Sequence, residues 1–527
     1  VAKILAGAAL VAGAIVLDVV TAGAATPLVA TAIASAISIG ASLVIGGIAQ
    51  ALQHNLGFGI ATRQAAAPRT ILYGRTRLGG VLTYVSLTGQ SEKFLHLVVV
   101  HCSNPVNGVP ALYLDGNLIV MGSGNFDDGN RHQNISGISY NYKGHVYWEF
   151  RPGVTGQATF SFLTTEDPNY PSTATLDGHC CSYLRLLYDA SIFPLGIPTI
   201  KVDLIGKNDI YDPRTGTRGY SENPALCIAD VMCNTDYGLQ CDFNTEIDIP
   251  QLIAAANICD EQVPLAAGGS EARYSCNGAF TTDQAPGDII KQMLTACAGR
   301  TTYIDGKWAI YPAAFIPPTV TLDDTCLIAP MKWNFTQKYR DLFNIVKGSF
   351  VCPTFPYVAA GPGLPFGQPI TGQFDGEWQQ TDIPAYAQDV LHGYPSDANL
   401  AQDLGVVLWL DTRFPYTISV ATAQRLAKIL LLRNRQQGSG TLTCNLSAYQ
   451  CQAMDTIQFS HARFGWANKL MEITNLRLNF GHDDQSGSMT MSVELDVNET
   501  DPSVYAWSTR EELTIQDNHQ GHVDGAA

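Results

Sequence analysis

Apolar residues recur along this chain with two different periods, and the change of period divides it. From about Arg69 to Ile205 the pattern is that of strands. Leu95 to Val100 is a nearly continuous apolar run, Val146 to Phe150 alternates with aromatic residues, and Ala111 to Leu114 and Asn117 to Val120 flank Asp115-Gly116. Asp-Gly between two such runs predicts a two-residue hairpin, because both central residues of a type I′ turn take positive φ. A barrel or sandwich is expected here. Between about Gly206 and Pro330 the spacing turns helical. Asn223-Pro224 supplies an N-cap and a proline at N1 ahead of Leu226, Ala229, Asp230 and Cys233, with Gly238 as the stop. A second helix is expected near Gln251 to Asn257. A third puts Ile289, Ile290, Met293, Leu294 and Cys297 on one face and Gly299 at C′, ahead of a hairpin from Thr301 to Tyr311 turning at Asp305-Gly306. From Met331 to about Val497 strands return, broken by a helix over 421–435. In it Leu426, Ala427, Leu430 and Leu431 are expected inward. Arg425, Lys428, Arg433 and Arg435 are expected outward, gathered toward the end where cations complement the macrodipole. Thr354 to Pro369, rich in Pro and Gly, reads as an irregular loop.

The first sixty residues differ from all this. Apart from Lys3 and Asp18 no formally charged residue precedes Arg63, and Leu28 to Leu52 is 25 apolar or small residues with one Gln, including Ile39, Leu43 and Ile45. A helix of that length spans a bilayer. Lys3, the run Ile4 to Leu17 and the small residues Ala22 to Ala25 follow the order of a secretory signal. Gly40, Ala41, Ser42, Gly46 and Gly47 allow close packing against other apolar chains, and burial in an assembly, with membrane insertion as a conditional event, is the reading preferred. The expected organisation is therefore an apolar segment at 1–60, a β domain at 61–205, a mixed α/β domain at 206–330, a second β domain at 331–500 and an extension at 501–527. The fold class is α+β, mainly β.

Composition narrows the function. With 46% hydrophobic and 9% aromatic residues over 527 positions the chain is folded, and at roughly 150 residues per domain it holds three or four domains. Against 47 Asp+Glu there are 31 Lys+Arg, a net charge of −16, which argues against a broad electrostatic grip on nucleic acid. The 13 cysteines form no C-x-x-C pair and read as buried thiols, with a Cys444–Cys451 disulfide left open. Phosphate-loop, zinc-protease and nucleophile-elbow motifs are absent. His179-Cys180-Cys181 cannot converge on one ion if it lies on a strand, and Asn125 to Asn130 lacks the distal Glu of a calcium loop. Asp323-Asp324 and Asp483-Asp484 read as solvated turns, and the seven Trp, spread over the chain, as packing residues rather than a sugar platform. No catalytic, cofactor-binding or metal-binding residue emerges, and none is assigned.

Tyr73-Gly74-Arg75-Thr76-Arg77-Leu78-Gly79-Gly80, Phe94 to Val100, Tyr113-Leu114-Asp115-Gly116, Asn223-Pro224-Ala225, Asp236-Tyr237-Gly238-Leu239, Arg273 to Gly278, Asp305-Gly306-Lys307-Trp308, Ala423 to Lys428 and Asp501 to Trp507 resemble, in that order, the tail tip attachment protein J family of long-tailed phages. The resemblance covers about Arg69 to Trp507. It implies a non-enzymatic homotrimeric hub whose tandem β-barrel domains match the tail tube above and narrow to threefold symmetry below. It implies residence in the virion tail tip after synthesis in the host cytoplasm. The partners implied are a distal tail or tail tube protein, a tape measure protein, a tail fibre or receptor-binding protein, and genomic DNA that passes without specific binding. Tyr73, Arg75, Arg77, Tyr237 and Arg425 become candidates for interprotomer contact or for fold support. The chain departs from longer family members by ending soon after Trp507, so receptor recognition is expected of a separate protein. An acidic lumen would repel DNA, and three copies of the apolar segment would plug the lumen, contact the tape measure or reach the host membrane. The competing readings are a membrane-anchored surface protein whose β domains bind a glycan or protein, and a tail-borne wall hydrolase.

Overall fold

The computed structural model describes residues 67–119, 136–138, 142–189, 191–193, 196–352, 379–387, 403–482 and 489–512. The apolar segment 1–60, the run 125–130, the loop 354–369 and Asp483-Asp484 lie outside them. The described chain is mainly β and falls into two compact units. The first holds the described residues up to Asn208 together with Phe280–Asp283, and the second holds the rest from Asp209 onward.

In the first unit the elements are β1 (Thr70–Tyr73), β2 (Arg75–Leu78), β3 (Val81–Thr88), β4 (Phe94–Cys102), β5 (Val106–Leu114), β6 (Asn117–Leu118), β7 (Ser136–Ile138), β8 (Val146–Pro152), α1 (Ser161–Glu166), β9 (Cys180–Leu187) and β10 (Ile200–Lys207). They form one sheet in the order β3-β4-β9-β8-β7 and another in the order β2-β10-β5-β6. The apolar run in β4 is continuous because the strand pairs with both β3 and β9 and is covered on both faces. Asp115 and Gly116 take φ of 50° and 79°, the type I′ geometry their order predicts. Phe160 and Leu163, at the start of α1, pack with Val98, Tyr170, Cys181 and Tyr183 into a buried cluster.

The second unit contains β11 (Ile210–Asp212), β12 (Thr217–Gly219), α2 (Pro224–Cys233), α3 (Ile249–Asp260), β13 (Gln262–Pro264), β14 (Ser270–Ala272), β15 (Gly278–Thr281), α4 (Pro286–Leu294), β16 (Arg300–Ile304), β17 (Lys307–Tyr311), β18 (Val320–Asp323), β19 (Lys332–Asn334), β20 (Ile345–Cys352), β21 (Gln379–Ala387), β22 (Trp409–Phe414), α5 (Val420–Arg435), β23 (Ser439–Cys444), β24 (Thr456–His461), β25 (Trp466–His482) and β26 (Met489–Glu499). The last residues of β15 belong to the first unit, where the strand pairs with β1. Asn223 caps α2 through its side chain, accepting from Ala225 N and Leu226 N, but Asn234 rather than Gly238 ends the helix. After α4 a short 3₁₀ turn carries the left-handed cap to Ala298, with φ 43°, one residue earlier than expected. Gly299 is needed for closeness instead, since a Cβ there would sit 2.8 Å from Cys297 Sγ and 3.0 Å from the Tyr311 carbonyl.

Two expectations are corrected here. Among the described residues no sheet closes into a barrel. The largest runs β18-β24-β25-β26-β23-β19 and is open, with a single bridge, Leu327 to Cys444, joining the chain just beyond β18 to the end of β23. The cationic face of α5 is not solvated either: Arg425 and Lys428 are buried along with Leu426, Ala427 and Leu431, while Leu430, expected inward, is only partly buried. Periodicity registers an amphipathic helix, while the acidic side chains that cover its polar face come from segments remote in sequence: Glu271 on β14, Asp403 and Glu511.

Candidate functional site

The motif residues singled out from sequence separate by burial. Tyr73 is fully buried, its ring stacked 6.2 Å from Phe280, with Lys207 Nζ 5.8 Å away. Arg77, on β2, faces Asp203 across the ladder and donates from Nε and Nη2 to its two carboxylate oxygens at 2.5 and 3.2 Å. Its guanidinium lies 3.5 Å over the Tyr113 ring. Paired and stacked inside the first unit, this Arg fastens β2 to β10 and β5. Arg425, 3% exposed, donates to the Arg273 carbonyl and to Thr422 Oγ1 and pairs with Glu271 at 2.9 Å. Burial lowers its pKa, and Glu271 opposes that shift. Arg75 is exposed and Tyr237 half-buried, with the Tyr237 amide donating to the Asn234 side chain.

Arg425 belongs to a larger clamp. Ser419, the N-cap of α5, and Thr422 both donate to Glu271, Lys428 reaches Glu511 and the Ala506 carbonyl, and Arg435 forms a double contact with Asp403. Trp507 lies 5.9 Å from both Arg425 and Lys428. The motif Asp501 to Trp507 thus closes over α5 and holds it.

The remaining sequence candidates are engaged structurally. Cys180 and Cys181 point to opposite faces of β9, and burial pushes the Cys181 thiol up to about 12. Asp323 caps the turn at Thr325, while Asp324 accepts from Ala462 N and contacts His461, so their carboxyls do not face one another as a catalytic pair. Among the described residues no three His, Cys, Asp or Glu side chains are placed to share a metal, and no helix is long and apolar enough to cross a membrane.

Two histidines in the first unit are buried, His101 among neutral groups and His96 with Glu166 Oε2 at 4.0 Å from its Nε2. His101 Nδ1 donates to the Gly79 carbonyl, and Nε2 lies 2.8 Å from Ser182 Oγ, which donates to it when the ring is neutral. Burial brings its pKa down to about 4. His96 lies between Thr88 Oγ1 at 2.7 Å and Tyr183 OH at 2.8 Å, its pKa also lowered by burial.

Sequence reading missed the surfaces. Trp333 and Phe335 on one side, and Phe464 and Trp466 on the other, meet with ring centroids 4.9 Å apart for the two Trp and 5.5 Å for the two Phe. Phe335 and Phe464 stay exposed, and Lys469 covers the Trp pair. The signal was two aromatics spaced by two, twice, each pair presented to one side. Further apolar side chains are exposed at Val85 and Leu87 on β3 and at the cross-strand pair Phe480–Met491 on the long β25–β26 hairpin.

No family model matches the chain. A stretch of 129 residues is 33% identical to the tip attachment protein J of Escherichia phage SECphi27, covering 22% of this chain and 11% of that protein. The chain therefore matches only about a tenth of that relative's length. A chain of the virion of a native gene transfer agent particle shares the fold with TM-score 0.51 at 12% identity, covering 92% of this chain and 98% of that one. A 43 kDa tail protein of prophage MuSo2 from Shewanella oneidensis aligns at 10% identity with TM-score 0.29 over 83% of this chain and 98% of that one. The expected likeness to protein J is thus found, and the comparisons support a phage tail protein located in the virion tail.

Proposed function

We propose that the chain is a structural protein of a phage-type tail tip, a homotrimeric central hub that joins the tail tube to tip or fibre proteins and encloses the path of the genome. The observation that carries this reading is the 33% identical stretch shared with a tip attachment protein, in a chain whose fold resembles a virion chain over 92% of its length. The partners proposed are a distal tail or tube protein, the tape measure protein and a fibre or receptor-binding protein. Because Tyr73, Arg77 and Arg425 are buried in their own units, the contacts between protomers draw on exposed side chains: Arg75, Phe335 and Phe464. Part of the net −16 lines the channel and repels phosphate. Residues 1–60 occupy or plug the lumen.

The test is the native mass of the full chain at micromolar concentration. Three times 56.8 kDa, about 170 kDa, is expected for the closed ring. A single-chain mass that persists when purified tail tube protein is added would overturn the homotrimer. Absence of the chain from purified virions would overturn the tail assignment itself.

A further inference from the structure

The seam of the large open sheet carries a chemical feature that the hub reading does not use. Beyond β18 the chain turns through Asp324 to Cys326, and Asn445 N donates to the Cys326 carbonyl at 2.8 Å while Ile328 N donates to that of Thr443 at 3.0 Å. These bonds and the Leu327–Cys444 bridge tie the seam together through the backbone. Cys326 and Cys444 are 3% and 0% exposed, and their Sγ atoms stand 3.2 Å apart inside the core of this sheet. A disulfide needs about 2.05 Å, so closure takes a movement of roughly 1.2 Å. The sequence reading was of buried thiols with a Cys444–Cys451 disulfide left open, and the structure sets Cys326, not Cys451, against Cys444.

We infer that Cys326 and Cys444 form an oxidisable dithiol which a peroxide-class oxidant converts to a disulfide, locking the seam covalently. The chemistry balances with hydrogen peroxide. The Cys326 thiolate attacks one peroxide oxygen, the O–O bond breaks, and with one proton taken up a sulfenic acid and one water result. The Cys444 thiol then attacks the sulfenic sulfur, the S–O bond breaks, and the hydroxyl leaves with the Cys444 proton as a second water. Two thiols are oxidised by two electrons, and one peroxide is reduced to two waters. The Cys444 thiol donating to Cys326 favours the Cys326 thiolate and itself holds its proton more tightly, which assigns nucleophile and resolving thiol in that order. The twelve cysteines whose side chains are described are all unbonded thiols; Cys102 with Cys180 and Cys227 with Cys276 also hydrogen-bond as pairs, so the controls are cysteines outside these pairs, such as Cys259 and Cys297. Cys297, pushed up to about 12 by burial, and Cys259, also raised, stay protonated and unreactive in the folded chain.

The bond would close a loop of about 118 residues, which contains β19 to β22 and α5, and would restrict the unfolded chain accordingly. The experiment is performed on the full wild-type chain. Folded protein is treated with hydrogen peroxide, quenched with catalase, alkylated with N-ethylmaleimide during acid denaturation, and digested for peptide mass mapping. Expected is a cross-linked peptide pair containing Cys326 and Cys444, lighter by two hydrogens than the sum of the free peptides and split by dithiothreitol. Expected too is a rise of roughly 5–10 °C in the Tm of the second unit, which Cys326→Ala abolishes. Recovery of both cysteines as maleimide adducts would overturn the inference, as would a dominant Cys444–Cys451 link. Because mapping of the wild-type chain decides, a poorly folding variant leaves the result intact. The inference does not depend on trimer formation, so it stands or falls separately from the hub.

Discussion

The two units bury their ionisable groups in different ways. In the first, burial among hydroxyls and a carbonyl lowers the pKa of both His96 and His101, against the opposing pull of Glu166 on His96, and Arg77–Asp203 is a buried ion pair. In the second, α5 buries permanent cations, and each meets a carboxylate: Arg425 with Glu271, Lys428 with Glu511 and Arg435 with Asp403. A neutral imidazole is stable only while the solvent is poor in protons. A paired guanidinium is indifferent to that over ordinary pH but intolerant of losing its partner. The first unit therefore adds a response to acidity that the α5 clamp of the second lacks, while deletion of a partner threatens every buried pair, Arg77–Asp203 included.

Removing Arg435 is the strongest way to break this contrast. Arg435→Ala strands Asp403 in a site where its side chain is 6% exposed, and roughly 3–5 kcal/mol should be lost from the second unit. Hydrogen exchange read by peptide should rise in β20, β22 and α5 and stay unchanged in β4 and β9. Equal acceleration in both units would erase the distinction. Lowering the pH comes next. His101 has a folded pKa near 4 against 6.5 unfolded, so the unfolded chain takes up its proton first. Its contribution is complete above pH 6.5 and is lost as the pH falls toward 4, by about 3 kcal/mol at most, with His96 acting in the same direction. Thermal unfolding at pH 7 and pH 4.5, followed by the same peptides, should find the loss in the first unit. Asn223→Ala sharpens the picture for helix ends: it removes both the cap of α2 and the bond from Asn223 Nδ2 to the Ala256 carbonyl, costing about 1–2 kcal/mol within the second unit. The smallest effect on stability should come from Phe335→Ala, within about 0.5 kcal/mol because the ring is 58% exposed. If the native mass of that variant still reports the full ring, the aromatic cluster is not a protomer contact.

Legibility in the sequence followed the range of the interaction. Asp115-Gly116 and Asp305-Gly306 were readable as hairpins because positive φ at both residues is a local requirement, and both turns have it. Asn223-Pro224 and the apolar face of α4 were readable for the same reason. The polar face of α5 was not, since Glu271 lies about 150 positions away and nothing in a 3.6-residue period announces it. The aromatic cluster was missed: the seven Trp were read as scattered packing residues, and that Trp333 would meet Trp466 depended on sheet order. Cys326 and Cys444, 118 positions apart, gave no sign of each other.

The strand that completes β1 also has a consequence in time. Tyr73 stacks on Phe280, and Thr282 N donates to the Arg69 carbonyl at 2.9 Å, yet Phe280–Asp283 follows Asn208 by some seventy residues that belong to the other unit. On a ribosome adding 5–20 residues per second, the N-terminal unit waits roughly 4–14 s with that edge unpaired. During that wait α2 and α3, short-range structures needing nothing downstream to form their first turns, can already be winding. The order in which this polypeptide matures is therefore not the order in which it is translated.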